Sequence, residues 1–338
     1  MDLTFPARDQ ALGKVIFACS EATNARPADN FVSNEDSIPR ILGQLARRAE
    51  KGGVYLGVGP DQNFSMIAHA EPSLAFLVDF RRRNLLLHLL QRALFALSSN
   101  RITYLRRLTS RSPPEIAHDP HFEHLVEAFQ AAPYLKSSQP SLIKEVATVL
   151  KSLEIIQANE WQDLATMQTR LAGPGLNARF LALRMYPTLA SLILAKDREG
   201  EPRHFLASES LYKRIRELQV NDRVLPVVGD FAGSHTFLAL GEWLRARRFE
   251  ASVIYVSDVE FFLIRQGRFA AYLANLERIP WSKSALLIRT STREIDHPSR
   301  VPGDSSTTVI EPVSSFLRRA NRGQIFTVVD LFDPRAID

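Results

Sequence analysis

The chain has 338 residues, a formal net charge of +5 and a single cysteine, Cys19. Its length allows one large domain or two, and its 45% hydrophobic and 23% charged residues are ordinary for a globular protein. One cysteine excludes an internal disulfide and a thiolate metal cluster. With no apolar run of membrane-spanning length and a poor match to a signal peptide, we expect a cytoplasmic protein without a membrane partner.

The positive charge comes mainly from arginine, in clusters such as residues 81–83 and 106–107. Most of these arginines fall on the predicted polar faces of helices, where solvation is sufficient explanation for a charge. No nucleic-acid-binding motif accompanies them. Nucleic acid is therefore an unlikely partner, and a small-molecule ligand or an unidentified methyl acceptor is the expected one.

Residues 1–30 lack periodicity and are predicted to form an N-terminal arm. A helical pattern over residues 39–50 ends at Gly52-Gly53, which lead into an apolar run beginning at Val54. That run breaks into a turn, and a second apolar run over residues 74–78 ends at Asp79. The order strand, glycine turn, helix, strand, acidic tip and helix is typical of the opening of a nucleotide-binding α/β unit.

The glycine turn explains why a ligand is expected here. Gly57 and Gly59 have no Cβ, so the chain turns sharply and its backbone can be approached closely. The helix that follows would present free N–H groups and the positive end of its dipole. Asp79 follows at about the distance from which an acidic tip accepts hydrogen bonds from ribose hydroxyls. The plain alternative is a chain reversal that needs two glycines and binds nothing.

The turn departs from the dinucleotide pattern G-x-G-x-x-G, because Gln62 replaces the third glycine and Pro60 stiffens the loop. A pyrophosphate needs a closely approached, glycine-rich helix start. A nucleoside without phosphates, such as S-adenosylmethionine, needs less of this loop. The pattern therefore favours S-adenosylmethionine over NAD as the cofactor.

Residues 98–190 have no strand pattern. Apolar residues recur at helical spacing within residues 122–129, 142–156 and 161–171, and Ser-, Pro- and Gly-rich stretches separate them. We predict a helical insertion that caps one end of the sheet and selects a substrate. A subdomain that only stabilises the fold or forms a dimer is the alternative.

The α/β alternation returns after residue 190, so residues 31–97 and 191–338 are assigned to one sheet domain. A sheet of about seven strands is predicted, mostly parallel and with the last strand antiparallel. The five later strands are predicted at residues 204–206, 225–228, 252–256, 285–288 and 325–331.

Polar residues follow the predicted strands. Right-handed crossovers place the carboxyl ends of parallel strands at one edge, so these residues are expected to lie side by side. Each alone is an ordinary helix cap, but together the carboxylates would repel unless a cation or donor lies among them. The sulfonium and ammonium groups of S-adenosylmethionine suit such an edge. The candidate residues are Asp61, Asn63, Asp79, Arg82, Ser208, Glu209, Asp230 and Glu260.

Several runs of the chain resemble a bacterial family of uncharacterised proteins grouped with the class I S-adenosylmethionine-dependent methyltransferase-like fold. The resemblance covers about residues 30–290 and is weakest in the helical middle. It rests on residues 31–35 (FVSNE), 55–64 (YLGVGPDQNF), 79–84 (DFRRRN), 226–233 (PVVGDFAG) and 255–260 (YVSDVE).

The resemblance implies a Rossmann-like sheet and roles for the candidate residues. Gly57 and Gly59 would border the methionine moiety, and Asp79 the ribose. Ser208 and Glu209 would lie near the adenine, and Asp230 near the methyl-transfer centre. The chain departs from the methyltransferase pattern at the fourth strand, where Gly229-Asp230-Phe231 replaces an Asn/Asp-Pro-Pro-Tyr tip.

The sequence thus favours an S-adenosylmethionine-binding, methyltransferase-like protein, with Asp230 or Glu260 as the base that deprotonates the acceptor. The alternative is a non-catalytic ligand-binding or scaffold protein on the same fold; a dehydrogenase comes third. His118, His121 and His124 have a spacing that would allow a metal, but a solvated helix start explains them better, so no metal is expected. No nucleophile elbow or Walker loop occurs.

Overall fold

The structure is a computed structural model, and it describes residues 10–23, 30–114 and 116–334. Strands alternate with helices at both ends of the chain, and a long helical stretch lies between them. The strands are β1 (Val54–Gly57), β2 (Leu74–Asp79), β3 (Val224–Val228), β4 (Ala251–Tyr255), β5 (Trp281–Ser291) and β6 (Thr307–Pro312).

The α-helices of the described residues fall into three groups along the chain. Those before and between the first strands are α1 (Gln10–Cys19), α2 (Ile38–Arg48) and α3 (Gln62–Ala70). Those between β2 and β3 are α4 (Arg82–Ala96), α5 (Arg101–Thr109), α6 (Phe122–Ala131), α7 (Gln139–Leu150), α8 (Glu160–Ala172), α9 (Leu189–Leu194) and α10 (Glu209–Val220). The remainder are α11 (Thr236–Ala246), α12 (Val259–Arg265), α13 (Phe269–Glu277) and α14 (Val313–Asn321).

The six strands form one sheet in the order β3-β2-β1-β4-β5-β6. The first five are parallel to one another, and β6 runs antiparallel to β5. Helices α2, α3, α10 and α4 contact one another in a row, as do α1, α11 and α13. The first four strands are buried along their whole length, as strands covered by helices on both faces must be.

The parallel order brings the carboxyl ends of β1 to β4 to one edge, which we call the carboxyl edge. The chain order reverses between β1 and β4, because β2 and β3 extend the sheet on one side and β5 and β6 on the other. Crevices for ligands form at such a reversal in open α/β sheets.

The mostly parallel α/β sheet with an antiparallel last strand is confirmed, but the prediction of about seven strands is wrong, because the sheet has six strands in the part of the chain that the structure describes. The predicted strand at residues 204–206 is a turn. Phe205 instead packs edge-on against Phe64, with ring centroids 5.4 Å apart. A short apolar run has the same composition in a strand and in a buried turn, so hydrophobicity alone cannot distinguish them.

The predicted closing strand at residues 325–331 is also wrong. A short 3-10 helix, Val329–Phe332, forms there, and Phe326 and Val329 are largely exposed. The last strand of the sheet, β6, lies in a stretch for which the sequence predicted no strand. Its polar side chains are buried with partners: Thr308 hydrogen-bonds to Thr290 at 2.9 Å, and Glu311 pairs with Arg289.

The helices predicted at residues 122–129, 142–156 and 161–171 are confirmed as α6, α7 and α8, although α7 ends six residues earlier than the pattern suggested. Within the described ranges, none of the helices combines the length and the apolar character needed to cross a bilayer.

A buried ion network holds the β5–β6 end of the sheet together. The Arg289 guanidinium, 1% exposed, donates to the Glu260 carboxylate at 2.6 Å and also pairs with Glu311. Tyr272 donates to Glu260 at 3.0 Å, and Arg319 pairs with Glu311 at 3.0 Å. Each buried carboxylate therefore has a cation and a further donor or cation, the condition under which a buried charge is tolerated.

Replacing the central cation of this network is expected to destabilise the fold strongly. Arg289→Ala leaves Glu260 buried without a cation, so the free energy of unfolding should fall by about 3–5 kcal/mol in urea titrations. Arg318→Ala, which changes an exposed arginine on α14, is the matched control and should stay within about 0.5 kcal/mol of the parent. A loss below about 1 kcal/mol for Arg289→Ala would contradict this role.

Candidate functional site

The glycine turn between β1 and α3 is filled by the protein's own side chains. The Asn63 amide donates to the carbonyl oxygens of Val58, Gly59 and Pro60 at 2.9, 3.1 and 2.9 Å. Tyr55 donates its hydroxyl to Asn63 Oδ1 at 2.8 Å. A Cβ on Gly57 would collide with both the Asn63 amide oxygen and the Tyr55 ring. Gly57 is therefore required by close packing inside the turn, and Asn63, fully buried, stabilises the turn from beneath.

Gly59 is the centre of a second layer of contacts. Its φ of +82° lies in the region that favours glycine. Asn84 Nδ2 and His88 Nε2, both from α4, donate to its carbonyl oxygen at 3.2 and 2.9 Å. The Gln62 amide nitrogen lies 2.8 Å from where a Cβ of Gly59 would be. Turn, helix start and α4 are thus joined at one residue.

Asp79 ends β2 beside this turn and is 2% exposed. Its Oδ1 accepts from the Arg81 backbone N–H at 2.9 Å and lies 3.4 Å from the Arg81 guanidinium. Burial raises the pKa of Asp79, and the charge of Arg81 and the N–H groups of Arg81 and Gly59 offset this only in part. Its Oδ2 has no hydrogen bond of normal geometry within the described part of the chain.

Three acceptor oxygens around Gly59 lack a hydrogen-bond partner of this kind within the described ranges. Asp79 Oδ2, Gln62 Oε1 and Asn84 Oδ1 are all buried, and none accepts a hydrogen bond of normal geometry from the described residues. A buried acceptor without a donor costs about 1–3 kcal/mol, so such a group needs an explanation. Three of them around one turn are the arrangement that a ligand rich in hydrogen-bond donors would satisfy.

Glu35, which the sequence reasoning gave no role, lies at the reversal point of the sheet. Its carboxylate accepts from Tyr255 at the end of β4 at 2.7 Å and from the Ser257 hydroxyl. Gln62 donates to the same Tyr255 hydroxyl at 3.2 Å, so Glu35 is linked to the glycine turn. Burial raises the pKa of Glu35 to about 7 despite these hydrogen bonds. The sequence signal that could have pointed to Glu35 was its place in residues 31–35, one of the runs on which the family resemblance rests.

Asp61 and Asp258 add two more desolvated carboxylates to the same edge. Asp61 precedes α3 without capping it, and accepts from the backbone N–H of Ser33 at 3.1 Å. Burial raises the pKa of Asp61 to about 6 and raises that of Asp258 as well. Arg81 contributes a favourable charge to Asp258 as it does to Asp79. Several buried carboxyl groups therefore meet at the carboxyl edge, where burial disfavours their ionised form.

Two cavities border this edge. One, of about 20 Å³, is lined by Glu35, Asp61, Gln62 and His204 together with apolar residues of α2. The other, of about 30 Å³, lies past Ser257 toward β5. Each has room for about one water molecule, whereas a pocket for a nucleoside-sized ligand has several hundred Å³.

Other predicted site residues lie away from the glycine turn. Arg82, a candidate residue for this edge, pairs instead with Glu160 of α8 at 2.7 Å, and it is Arg81 that lies beside Asp79. Glu260 belongs to the Arg289 network, which occupies its carboxylate. Asp230, at the end of β3, pairs with Arg268 at 2.8 Å and is partly exposed.

Ser208 and Glu209 do not follow a strand, so the expectation that they lie at the edge with the other candidate residues is wrong. Ser208 caps α10 by accepting from the Leu211 N–H at 3.3 Å, and Glu209 accepts from the Arg101 N–H at 3.1 Å. The ends of β1, β2, β3 and β4 supply the tips at this edge. Among the described residues, no three or more His, Cys, Asp or Glu side chains are placed to hold a metal ion.

A family model described as a domain of unknown function, DUF7790, matches residues 30–328. The match spans the whole sheet and the helical stretch between β2 and β3, and it begins after α1. No curated protein matches the chain.

The titration of Glu35 gives a pH prediction. Its folded pKa is about 7 against 4.5 for the free side chain, so the folded state holds this proton more tightly. The stabilisation that the folded state gains from holding the Glu35 proton is fully present below pH 4.5 and is lost as the pH rises through 7. Glu35→Gln removes this loss, so the stability of the variant relative to the parent should rise by about 1–3 kcal/mol between pH 5 and pH 8.

Urea unfolding of both proteins at several pH values measures this difference. Glu127→Gln, at an exposed glutamate of α6, is the control and should show a difference that does not change with pH. A constant difference between Glu35→Gln and the parent across the range would contradict the assignment.

Proposed function

We propose that this chain, which belongs to the DUF7790 family of domains of unknown function, binds S-adenosylmethionine at the carboxyl edge above β1 and β2 and is a methyltransferase-like protein of unknown acceptor. The observation that carries the proposal is Asp79 Oδ2, a buried carboxylate oxygen beside Gly59 that accepts no hydrogen bond of normal geometry from the described residues. Ribose hydroxyls are donors suited to such an oxygen.

The sheet supports a Rossmann-like assignment of the fold. The order β3-β2-β1-β4-β5 places its reversal between β1 and β4, and the glycine turn follows the central strand β1. In sheets of this kind the ligand lies outside the carboxyl ends at the reversal. Asp79, Gln62 and Glu35 all lie at that place.

The charge at this edge favours a cationic ligand over a phosphate. Glu35, Asp61, Asp79 and Asp258 are all desolvated, and burial raises the pKa of each. A phosphate would add negative charge to this group, whereas a sulfonium or ammonium would stabilise the ionised carboxylates. This is the physical reason for ranking S-adenosylmethionine above NAD and ATP.

Bound S-adenosylmethionine would supply an electrophilic methyl group, and the chain would orient the acceptor and accept its proton. Asp230 is the better candidate for the base, because it is partly exposed at the end of β3. Glu260 is engaged by Arg289 and Tyr272. A shift of a proton to Glu260 would weaken a buried ion pair, which makes it a poor base.

A non-catalytic scaffold is the second candidate, and the small cavities favour it. The spaces beside Glu35 and Ser257 hold about one water each. Ligand entry therefore requires part of the chain at this edge to move. A protein that has lost the cofactor would keep the edge closed.

Ligand binding separates the two candidates. S-adenosylhomocysteine at a hundred times its Kd adds about 2.7 kcal/mol of stability and raises the melting temperature. We expect this shift with S-adenosylhomocysteine and S-adenosylmethionine, and none with NAD or ATP. A shift with NAD or ATP alone would contradict the proposal, and no shift with any of the four would support the scaffold.

Asp79→Asn is expected to raise the Kd for S-adenosylhomocysteine about 10- to 100-fold, measured by calorimetry. Asparagine keeps the shape and can still accept from Arg81, but a nitrogen in place of Oδ2 cannot accept from a hydroxyl. The variant should fold, because burial already disfavours the charge of Asp79. Asp296→Asn, at an exposed aspartate, is the control, and equal affinities for the two variants would contradict the role of Asp79.

A further inference from the structure

Residues 20–23, which follow α1, lie across the carboxyl ends of β3 and β2; we call them the strap. The Glu21 N–H donates to the Val228 carbonyl at 2.9 Å, and the Val228 N–H donates to Ser20 Oγ at 3.0 Å. The Thr23 hydroxyl donates to the carbonyl of Phe80, the residue after Asp79. The strap thus joins the outer strand β3 to the β2 end that carries the proposed ligand contact.

Glu21 fills the loop between β3 and α11. Its carboxylate accepts from the backbone N–H groups of Asp230 at 2.8 Å and His235 at 3.3 Å. A Cβ on Gly233 would collide with this carboxylate. Because His235 precedes α11, the negative charge of Glu21 also lies at the favourable end of the helix dipole. The Glu21 side chain therefore fastens the strap to the loop after β3, in addition to the contacts of Ser20 and Thr23.

The strap and α1 are held by different forces. Leu12, Ile16 and Cys19 of α1 are buried, and α1 packs against β3 and α11. Ser20, Glu21 and Thr23 are only half-buried, and polar contacts hold them. Hydrogen bonds of this kind contribute about 0.5–1.5 kcal/mol each, because water replaces them when they break. The strap can open while α1 stays in place.

We propose that the strap is a lid over the β2–β3 end of the carboxyl edge, and that Glu21 is the latch which holds it closed. The proposal rests on the proposed function, since it assigns the regulation of that same site. Asp79 is 2% exposed and its Oδ2 is buried, so a ligand reaches it only when a segment that covers the β2 end moves. The strap lies before residues 30–328, the range that the family model matches.

Closing the lid competes with ligand binding, so the apparent affinity depends on the fraction of open protein. Weakening the latch raises that fraction. Glu21→Ala is therefore expected to lower the Kd for S-adenosylhomocysteine about 3- to 10-fold in calorimetry. If Glu21 instead formed part of the wall of the binding site, Glu21→Ala would raise the Kd.

Hydrogen exchange of the ligand-free protein reports the latch itself. Glu21→Ala should speed exchange at least tenfold at Asp230 and His235, and also at the Glu21 backbone N–H and at Arg81 beside Asp79. A merely local contact would affect only Asp230 and His235. Amides of the central strand β4 should exchange as in the parent. Glu242→Ala, at an exposed glutamate of α11, is the matched control and should change neither exchange nor affinity.

Two results would overturn the lid. One is unchanged exchange at Arg81 and at the Glu21 N–H in Glu21→Ala, and the other is a higher Kd in that variant. If S-adenosylhomocysteine binds neither protein, the proposed function fails, and the exchange at Arg81 alone then decides whether the strap opens.

Discussion

Desolvation of carboxylates at one edge of the sheet is the constraint on which the site depends. Parallel strands bring their carboxyl ends together, and polar residues at those ends must then share a small, dry space. Glu35, Asp61 and Asp79 lie there at 6% exposure or less, and burial raises the pKa of all three. Such a group holds together through protonation, hydrogen bonds or a cationic partner.

The molecule treats buried charge in two contrasting ways. At the β5–β6 end, Arg289 neutralises Glu260 and Glu311, and Tyr272 and Arg319 add further contacts to these two carboxylates. At the carboxyl edge, Arg81 reaches one oxygen of Asp79, and the other accepts no hydrogen bond of normal geometry from the described residues. The first arrangement is that of a structural network, and the second is typical of functional sites, where polar groups are left for a ligand.

The two glycines of the central turn, Gly57 and Gly59, are required by the packing of the protein itself, whether or not a ligand binds. Gly57 has no Cβ, which leaves room for the Asn63 amide and the Tyr55 ring. The Gly59 carbonyl oxygen accepts hydrogen bonds from two side chains of α4. This packing makes the turn rigid, which suits a site that must hold its polar groups in place. It also leaves little open volume, so access depends on the segments that cover the edge. We propose the strap, with Glu21 in the loop before α11, as such a segment.

The sequence by itself determined the features that depend on local pattern: the α/β alternation, the glycine turn after β1, the acidic end of β2 and the helices of the middle stretch. Tertiary structure decided which side chains meet. Glu35 accepts a hydrogen bond from Tyr255, which lies 220 positions away in the chain. Arg82 pairs with Glu160, whereas its neighbour Arg81 pairs with Asp79. The sequence did not predict strand β6, because polar residues such as Thr308 and Glu311 are typical of loops. In the folded chain both are buried in β6, since Thr290 and Arg289 pair with them. Periodicity reports burial of apolar residues, whereas burial of a polar residue depends on a partner that only the folded chain supplies.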